Sequence, residues 1–309
     1  MKLALIGYGY WGKISFETVA LIPGLSIRYL VSSQELTDKK FESIQILRNW
    51  TDILSLSDLA GVIIAAPSDM HYPIAKECII RNIPVFIEKP MTLTSKESKD
   101  LVNLAKKYQS KVVVDHILLF SPSFNVFKQY IQSNIKKLKK IDMFSGKWRP
   151  YPFNISVLFE WAPHEIAMSF DMFQANLEIT SLNQITRQFK HTYGQHICLK
   201  GSINNIPLSF NWSNLRKKPI RKISAKFDDG ELIFNDKVKN KVIFKDKSGS
   251  IKNISYKDNA PLTIAIEVFK NSMLQNKVSY KDIELGGYVV ETLEKINKKL
   301  NRESFKSLK

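Results

Sequence analysis

Short apolar runs alternating with amphipathic stretches fill the first 118 positions of the chain. KLALIG, LSIRYLV, GVIIAAP, PVFIEK and KVVVDH are aliphatic and β-branched over strand length, whereas HYPIAKECIIRN and SKESKDLVNLAKKYQ repeat apolar positions at the helical period. Such alternation predicts right-handed crossovers and a parallel sheet with helices on both faces. Ligands of these sheets bind at the C-terminal strand ends, where Gly7, Ala66, Pro67, Lys89 and His116 fall.

Beyond residue 118 the period changes. A helix is predicted over SFNVFKQYIQSNIKKLKK, then a strand at MFSGKW, a helix near Pro163, and the alternating segments LNQITRQF, HICLKGSI, PLSFNWS, RKISAKF, ELIFND and KVIFKD. Turn signals at Asn204-Asn205, Asp228-Asp229-Gly230 and Lys247-Ser248-Gly249 separate them. The pattern predicts a mostly antiparallel sheet with one face on a core, closed by helices over 261–275 and 281–300. At 309 residues the chain exceeds the size at which one core usually splits. The fold expected is α/β: a Rossmann domain over 1–118, then an α+β domain for substrate binding and oligomerisation over 119–309.

Gly7, Gly9 and Gly12 follow the first apolar run and fit G-x-G-x-x-G, with Tyr10 and Trp11 opening the helix. The first glycine makes the turn, the second lets backbone approach a pyrophosphate, and the third lets helix pack on strand. The phosphates then meet unpaired N–H groups at the helix start. An acidic residue about 20 positions further on would select NAD, but Ser32 and Ser33 stand at the end of the second strand, with Glu35 close. Small neutral residues tolerate a 2′-phosphate, although no arginine is read there to grip it. The cofactor expected is NAD(P), leaning to NADP.

Charge narrows the partners. The formal net charge is +17, but lysine supplies most of the 46 basic residues and they are spread along the chain. Nucleic-acid readers favour the bidentate arginine fork, so no nucleic-acid partner is predicted. Lys136 to Lys140 read as a solvated helix end with cations near its C-terminus. A positive field can still draw in an anionic substrate. No run reaches the ~18 apolar residues of a membrane span, and KLALIG is too short for a signal-peptide core. Cys78 and Cys198 lie in apolar stretches without metal spacing. They predict buried free thiols, a cytoplasmic protein and no metal site.

Taken in order, the glycine turn, AAPSDMHYPIAKECIIRNIPVFIEKPMTLTSKES and Glu160-x-x-x-His164 resemble landmarks of the Gfo/Idh/MocA oxidoreductases. DHILLFSPSFNVFKQYI, FEWAPHEI and NWSNLRKKPIRKISAKFDDG resemble the branch of that family acting on nucleotide-linked sugars. The resemblance implies hydride transfer between a nicotinamide and a carbon bearing a secondary hydroxyl, a sugar as substrate, and a homo-oligomer, dimer or tetramer. It assigns proton transfer to Lys89 of the EKP motif, whose pKa must fall from about 10.4 for base work at neutral pH. His164 is the second catalytic candidate; Pro163 read as a first-turn proline, with Glu165 beside it, puts that imidazole near a helix start, which disfavours its charged form.

Glu160 is expected to orient His164 or bind a sugar hydroxyl, and His116 to line the pocket or make a structural hydrogen bond. His71, Ala66, Pro67 and Glu88 are carried over as cofactor neighbours. Arg149 and Arg221, the latter with Lys218 nearby, are candidates for a substrate pyrophosphate. Glu160, Ala162 and Ala167 depart from the aspartate, glycine and second aspartate common in the family. That loss leaves room for a non-sugar carbonyl, dihydrodiol or bilin-like substrate. A cofactor-sensing protein without turnover is the remaining alternative, and it needs neither Lys89 nor His164.

Overall fold

The computed structural model describes residues 1–150 and 156–306, which divide into two compact units. The first comprises Met1–Ile117 and Ala260–Glu291; the second comprises Leu118–Asn259 and the chain from Thr292 on.

The first unit runs β1 (Lys2–Ile6), α1 (Tyr10–Ala20), β2 (Ser26–Val31), β3 (Gln45–Leu47), β4 (Leu59–Ile64), α2 (Ser68–Ile80), β5 (Val85–Glu88), α3 (Ser95–Tyr108) and β6 (Val112–Asp115). The strands form one parallel sheet in the order β3-β2-β1-β4-β5-β6. β5 and β6 are buried at every position, as strands covered on both faces must be. Strand order reverses between β1 and β4, so the crevice for a ligand opens at the ends of these two strands. The three-residue β3 is too short to leave a hydrophobic period and was not foreseen.

The second unit runs α4 (Pro122–Ser133), β7 (Leu138–Gly146), α5 (Val157–Phe173), β8 (Glu178–Gln188), β9 (Tyr193–Ile203), β10 (Ile206–Ser213), β11 (Ile220–Phe227), β12 (Gly230–Asn235), β13 (Val242–Asp246) and β14 (Ile251–Asn253). Its sheet has the order β14-β13-β12-β11-β7-β10-β9-β8, and every pairing is antiparallel except β7 with β10. Asn204 and Asn205, at φ 51° and 63°, form the two-residue turn joining β9 to β10. Asparagine tolerates that left-handed region, which matches the twist of a hairpin. Phe124 and Phe127 of α4 pack on Phe234 of β12 to build this unit's core.

The helix expected through residue 140 stops at Ser133. Ile141 and Met143 alternate inward on β7, and Leu138 is buried with them across a register shift; the strand pairs on both sides, and pairing outweighs the helical preference of the lysines. The lysine run therefore lies beyond the end of α4, in a short 3-10 turn (Ile135–Lys137) and the start of β7. Lys139 lies 3.1 Å from Asp228 and Lys137 3.6 Å from Asp229, at the turn between β11 and β12. Cys198 is only half-buried on β9, whereas Cys78 is fully buried and burial pushes its thiol up to about 12.

α6 (Pro261–Leu274) and the first part of α7 (Lys281–Lys306) belong to the first unit, although a cut at 118 would leave both in the second. The reason is packing. Phe269 of α6 meets Phe86 of β5 with ring centroids 5.8 Å apart, and a Cβ on Gly61 would come within 2.9 Å of Phe269. Lys111 Nζ donates to the carbonyls of Met273 (3.2 Å) and Gln275 (2.6 Å), placing a cation at the C-terminus of α6.

Candidate functional site

A cleft of about 580 Å³ opens at the ends of β1, β2 and β4. Gly7, Gly9, Tyr10, Trp11, Ser32, Ser33, Ala66 and Pro67 all line it. Gly7 sits at φ 94°, and a Cβ there would lie 2.5 Å from the carbonyl oxygen of Ala65. A Cβ on Gly12 would lie 2.1 Å from that of Gly7. Gly9 differs: an added Cβ meets nothing within 4 Å, so its missing side chain leaves space that the protein does not fill. The start of α1 has no side-chain cap and no acidic residue in its first turn. Its N–H groups and dipole are left to an anion. These residues fit a dinucleotide.

His71 is buried behind the cleft wall, with Nδ1 2.8 Å from the Pro90 carbonyl and Nε2 3.0 Å from that of Ala66. Burial holds its pKa below the ordinary value, and the two carbonyls oppose this. His71 thus ties the wall at Ala66 to the segment following Lys89.

An arginine does stand at the end of β2, contrary to the sequence expectation. Arg48, one residue past β3, donates from Nη1 to the carbonyls of Ser32 (3.0 Å) and Gln34 (3.0 Å), and it lines the cleft. It reaches this place because β3 pairs in parallel with β2, bringing the two strand ends side by side.

The ends of β5 and β6 carry a different chemistry. Glu88 and Asp115 are cross-strand partners, both buried, and their carboxyls share a hydrogen bond. Burial pushes Glu88 up to about 7 against the pull of Lys89, and burial with the charge of Glu88 pushes Asp115 well above the usual carboxylate range. Near pH 7 this pair retains a proton. Burial, aided by the Lys89 charge, lowers His116 to about 3, and neither ring nitrogen has a partner among the described residues. Its imidazole is neutral. Asp115 was not singled out by sequence; only its adjacency to His116 at a strand end hinted at it.

In the second unit α5 begins at Val157, not at Pro163. Ser156 Oγ accepts from the N–H of Leu158 at 3.2 Å as the cap, and Pro163 lies inside the helix. A helix buried on nearly all sides shows no amphipathic period, so the proline was mistaken for the start. The argument that a helix start disfavours the charged form of His164 therefore fails. Glu160 occupies the first turn instead, 3.9 Å from the exposed Arg149, while His164 is buried further along.

Glu165, expected as a first-turn carboxylate, is fully buried. It accepts hydrogen bonds from Ser145 Oγ and from Trp212 Nε1 (3.2 Å). Burial raises its pKa, and Arg221 opposes. Ser145 is the register partner of both Trp212 and Arg221, so one carboxylate addresses a row across β10, β7 and β11. Arg221 also lies 3.6 Å from Asp236 and 5.7 Å from the Trp161 ring centre. No group of three or more His, Cys, Asp or Glu side chains suited to a metal occurs among the described residues, and no helix there is long and apolar enough to cross a membrane.

Comparison with known proteins agrees with this geometry. The profile of the "Oxidoreductase family, NAD-binding Rossmann fold" matches residues 1–116. An uncharacterized oxidoreductase of Synechocystis sp. is 30% identical over 156 residues, 47% of this chain and 41% of that protein. UDP-N-acetylglucosamine 3-dehydrogenase of Acidithiobacillus ferrooxidans is 24% identical over 176 residues, covering 55% and 53%. The chain thus spans about half the length of the relatives it matches in sequence.

Over nearly the whole chain, the solved structure of an oxidoreductase candidate from Magnetospirillum magnetotacticum MS-1 superposes with a TM-score of 0.85 at 25% identity, covering 95% and 98%. That of biliverdin reductase from Synechocystis sp. PCC 6803, with biliverdin and NADP+, shares the fold at a TM-score of 0.76 and 18% identity, covering 96% and 98%. Residues 1–116 thus match the Gfo/Idh/MocA oxidoreductase profile, described as an NAD-binding Rossmann fold, and the first unit has that fold.

Proposed function

We propose that the protein is a cytoplasmic NAD(P)-dependent oxidoreductase interconverting a secondary hydroxyl and a ketone on a sugar, with a nucleotide-linked sugar of surface polysaccharide synthesis as the preferred class. The observation that carries this reading is Lys89 at the end of β5, in the same sheet whose β1 end holds the glycine cleft. A nicotinamide, when bound, supplies the acceptor or donor of the hydride. Oxidising the alcohol also releases the hydroxyl proton, and Lys89 Nζ takes it; in the reverse direction Lys89 returns it to the alkoxide oxygen. The buried Glu88–Asp115 pair at the ends of β5 and β6 retains a proton of its own near pH 7. Within the second unit, His164, Glu160, Arg149 and Arg221 are assigned to substrate binding, with His164 as the second group able to carry a proton.

A non-sugar carbonyl is the second reading, favoured by Ala167 in place of a carboxylate and by the fold shared with biliverdin reductase. The test is a panel of nucleotide-linked sugars, free sugars and bilins, followed at the nicotinamide absorbance with both cofactors. The reading expects turnover of a nucleotide-linked sugar. Turnover of a bilin alone replaces it, and cofactor binding with no turnover on any member replaces it with a sensor.

A further inference from the structure

Of the residues lining the cleft, Arg48 alone carries a charge among the described residues. Glu35 and Asp38, the carboxylates of the loop that follows β2, are exposed and do not line it. A Rossmann cleft that holds NAD usually offers the adenosine ribose a carboxylate at the end of β2, where the 2′-hydroxyl is read. Here that position offers Ser32, Ser33 and a guanidinium.

The guanidinium is also fixed. Its Nη1 spans two carbonyls 3.0 Å away, those of Ser32 and Gln34, and this loop is itself tied down. The N–H of Gln34 donates to Ser32 Oγ at 3.0 Å, and the N–H of Ser32 donates to the Leu47 carbonyl at 3.1 Å. A guanidinium has five N–H donors, so engaging one nitrogen leaves the remainder of the fork for an anion. Two strand spacings, about 10 Å, separate the end of β3 from that of β1, so Arg48 is placed for the ribose and not for the pyrophosphate at Gly7 and Gly9.

We infer that Arg48 is the specificity-determining residue for the cofactor: it receives the adenosine 2′-phosphate and makes the protein select NADP over NAD. This rests on the dinucleotide assignment of the cleft and adds the phosphate subsite. A phosphate carrying close to two negative charges meets one prepositioned cation and two small hydroxyl side chains, with no carboxylate to repel it. The 2′,3′-diol of NAD meets a donor group where it needs an acceptor.

The test is equilibrium binding to the purified chain of NADPH, NADH and adenosine 2′,5′-bisphosphate, followed by calorimetry, which does not depend on turnover. The unaltered protein should bind NADPH more tightly than NADH and should bind the bisphosphate. Arg48→Gln should weaken both 2′-phosphorylated ligands roughly 10- to 100-fold, the worth of hydrogen bonds to a charged group, and leave NADH nearly unchanged. Ser33→Asp should move preference toward NADH without touching the arginine. Equal loss of NADPH and NADH in Arg48→Gln would make the residue a loop staple and overturn the inference, as would tighter binding of NADH by the unaltered protein. Failure of the unaltered protein to bind any of the three would remove the cofactor assignment as well.

Discussion

Two ends of one parallel sheet do opposite things with side chains. At the ends of β1 and β2 recognition rests on what is missing: a side chain at Gly9, an acid in the first turn of α1, a carboxylate among the cleft residues. At the ends of β5 and β6 four titratable residues crowd together, and burial rather than solvent sets the charge of Glu88, Asp115 and His116. The first region offers a ligand backbone groups and one arginine; the second holds protons. Substitutions should divide along the same line.

The largest effect is expected from Gly9→Leu. The position has ordinary backbone geometry (φ −75°) and open space around it, so the side chain should fill the pyrophosphate approach without disturbing the fold. Binding of NADPH and NADH should both disappear in titration while the melting temperature stays put. Retained binding would break the assignment of the cleft.

Lys89→Ala comes next. Proton transfer by a positioned side chain contributes about 100- to 10,000-fold, so turnover should fall by that order while cofactor affinity survives. A variant that loses cofactor binding and turnover in parallel would erase the distinction between the two strand ends.

The smallest effect lies in stability. Glu88 has a folded-state pKa raised to about 7 from an ordinary 4.5. Between those values the native state holds more protons than the unfolded chain, so stability falls as pH rises. The contribution is fully present below about 4.5 and is lost on passing about 7. Asp115 faces Glu88 and acts in the same direction, while the neutral His116 favours the opposite, losing stability below its ordinary 6.5. Glu88→Gln should therefore gain on the unaltered protein as denaturation is repeated from pH 5 to pH 8. A constant difference across that range would show that the carboxyl does not titrate there.

What the sequence revealed follows the same physics. The glycine turn was legible because its requirements are local: a positive φ at Gly7 and close backbone approach at Gly12 can be met by few residues. Arg48 was not, since its partners lie 16 and 14 positions away and the strand that carries it there has three residues. The alternating strands of the second sheet were legible, but α5 was misread. Its apolar residues face inward on nearly every side, and a chain without a polar face gives no phase from which to find its first turn. Glu165 went unrecognised for the related reason that register alone assembles Ser145, Trp212 and Arg221 around it.

The return of α6 and part of α7 to the first unit has a practical consequence for anyone dissecting the protein. A fragment ending near residue 117 would contain the whole parallel sheet and every residue of the cleft, and would still be an incomplete body. Phe86 and Gly61 would lose Phe269, and Val114 would lose its close neighbour at Gly286. The exposed apolar face would favour aggregation. A working cofactor module has to be made by joining 1–117 to 260–291 through a short linker, because the cover over the sheet is written at the far end of the chain.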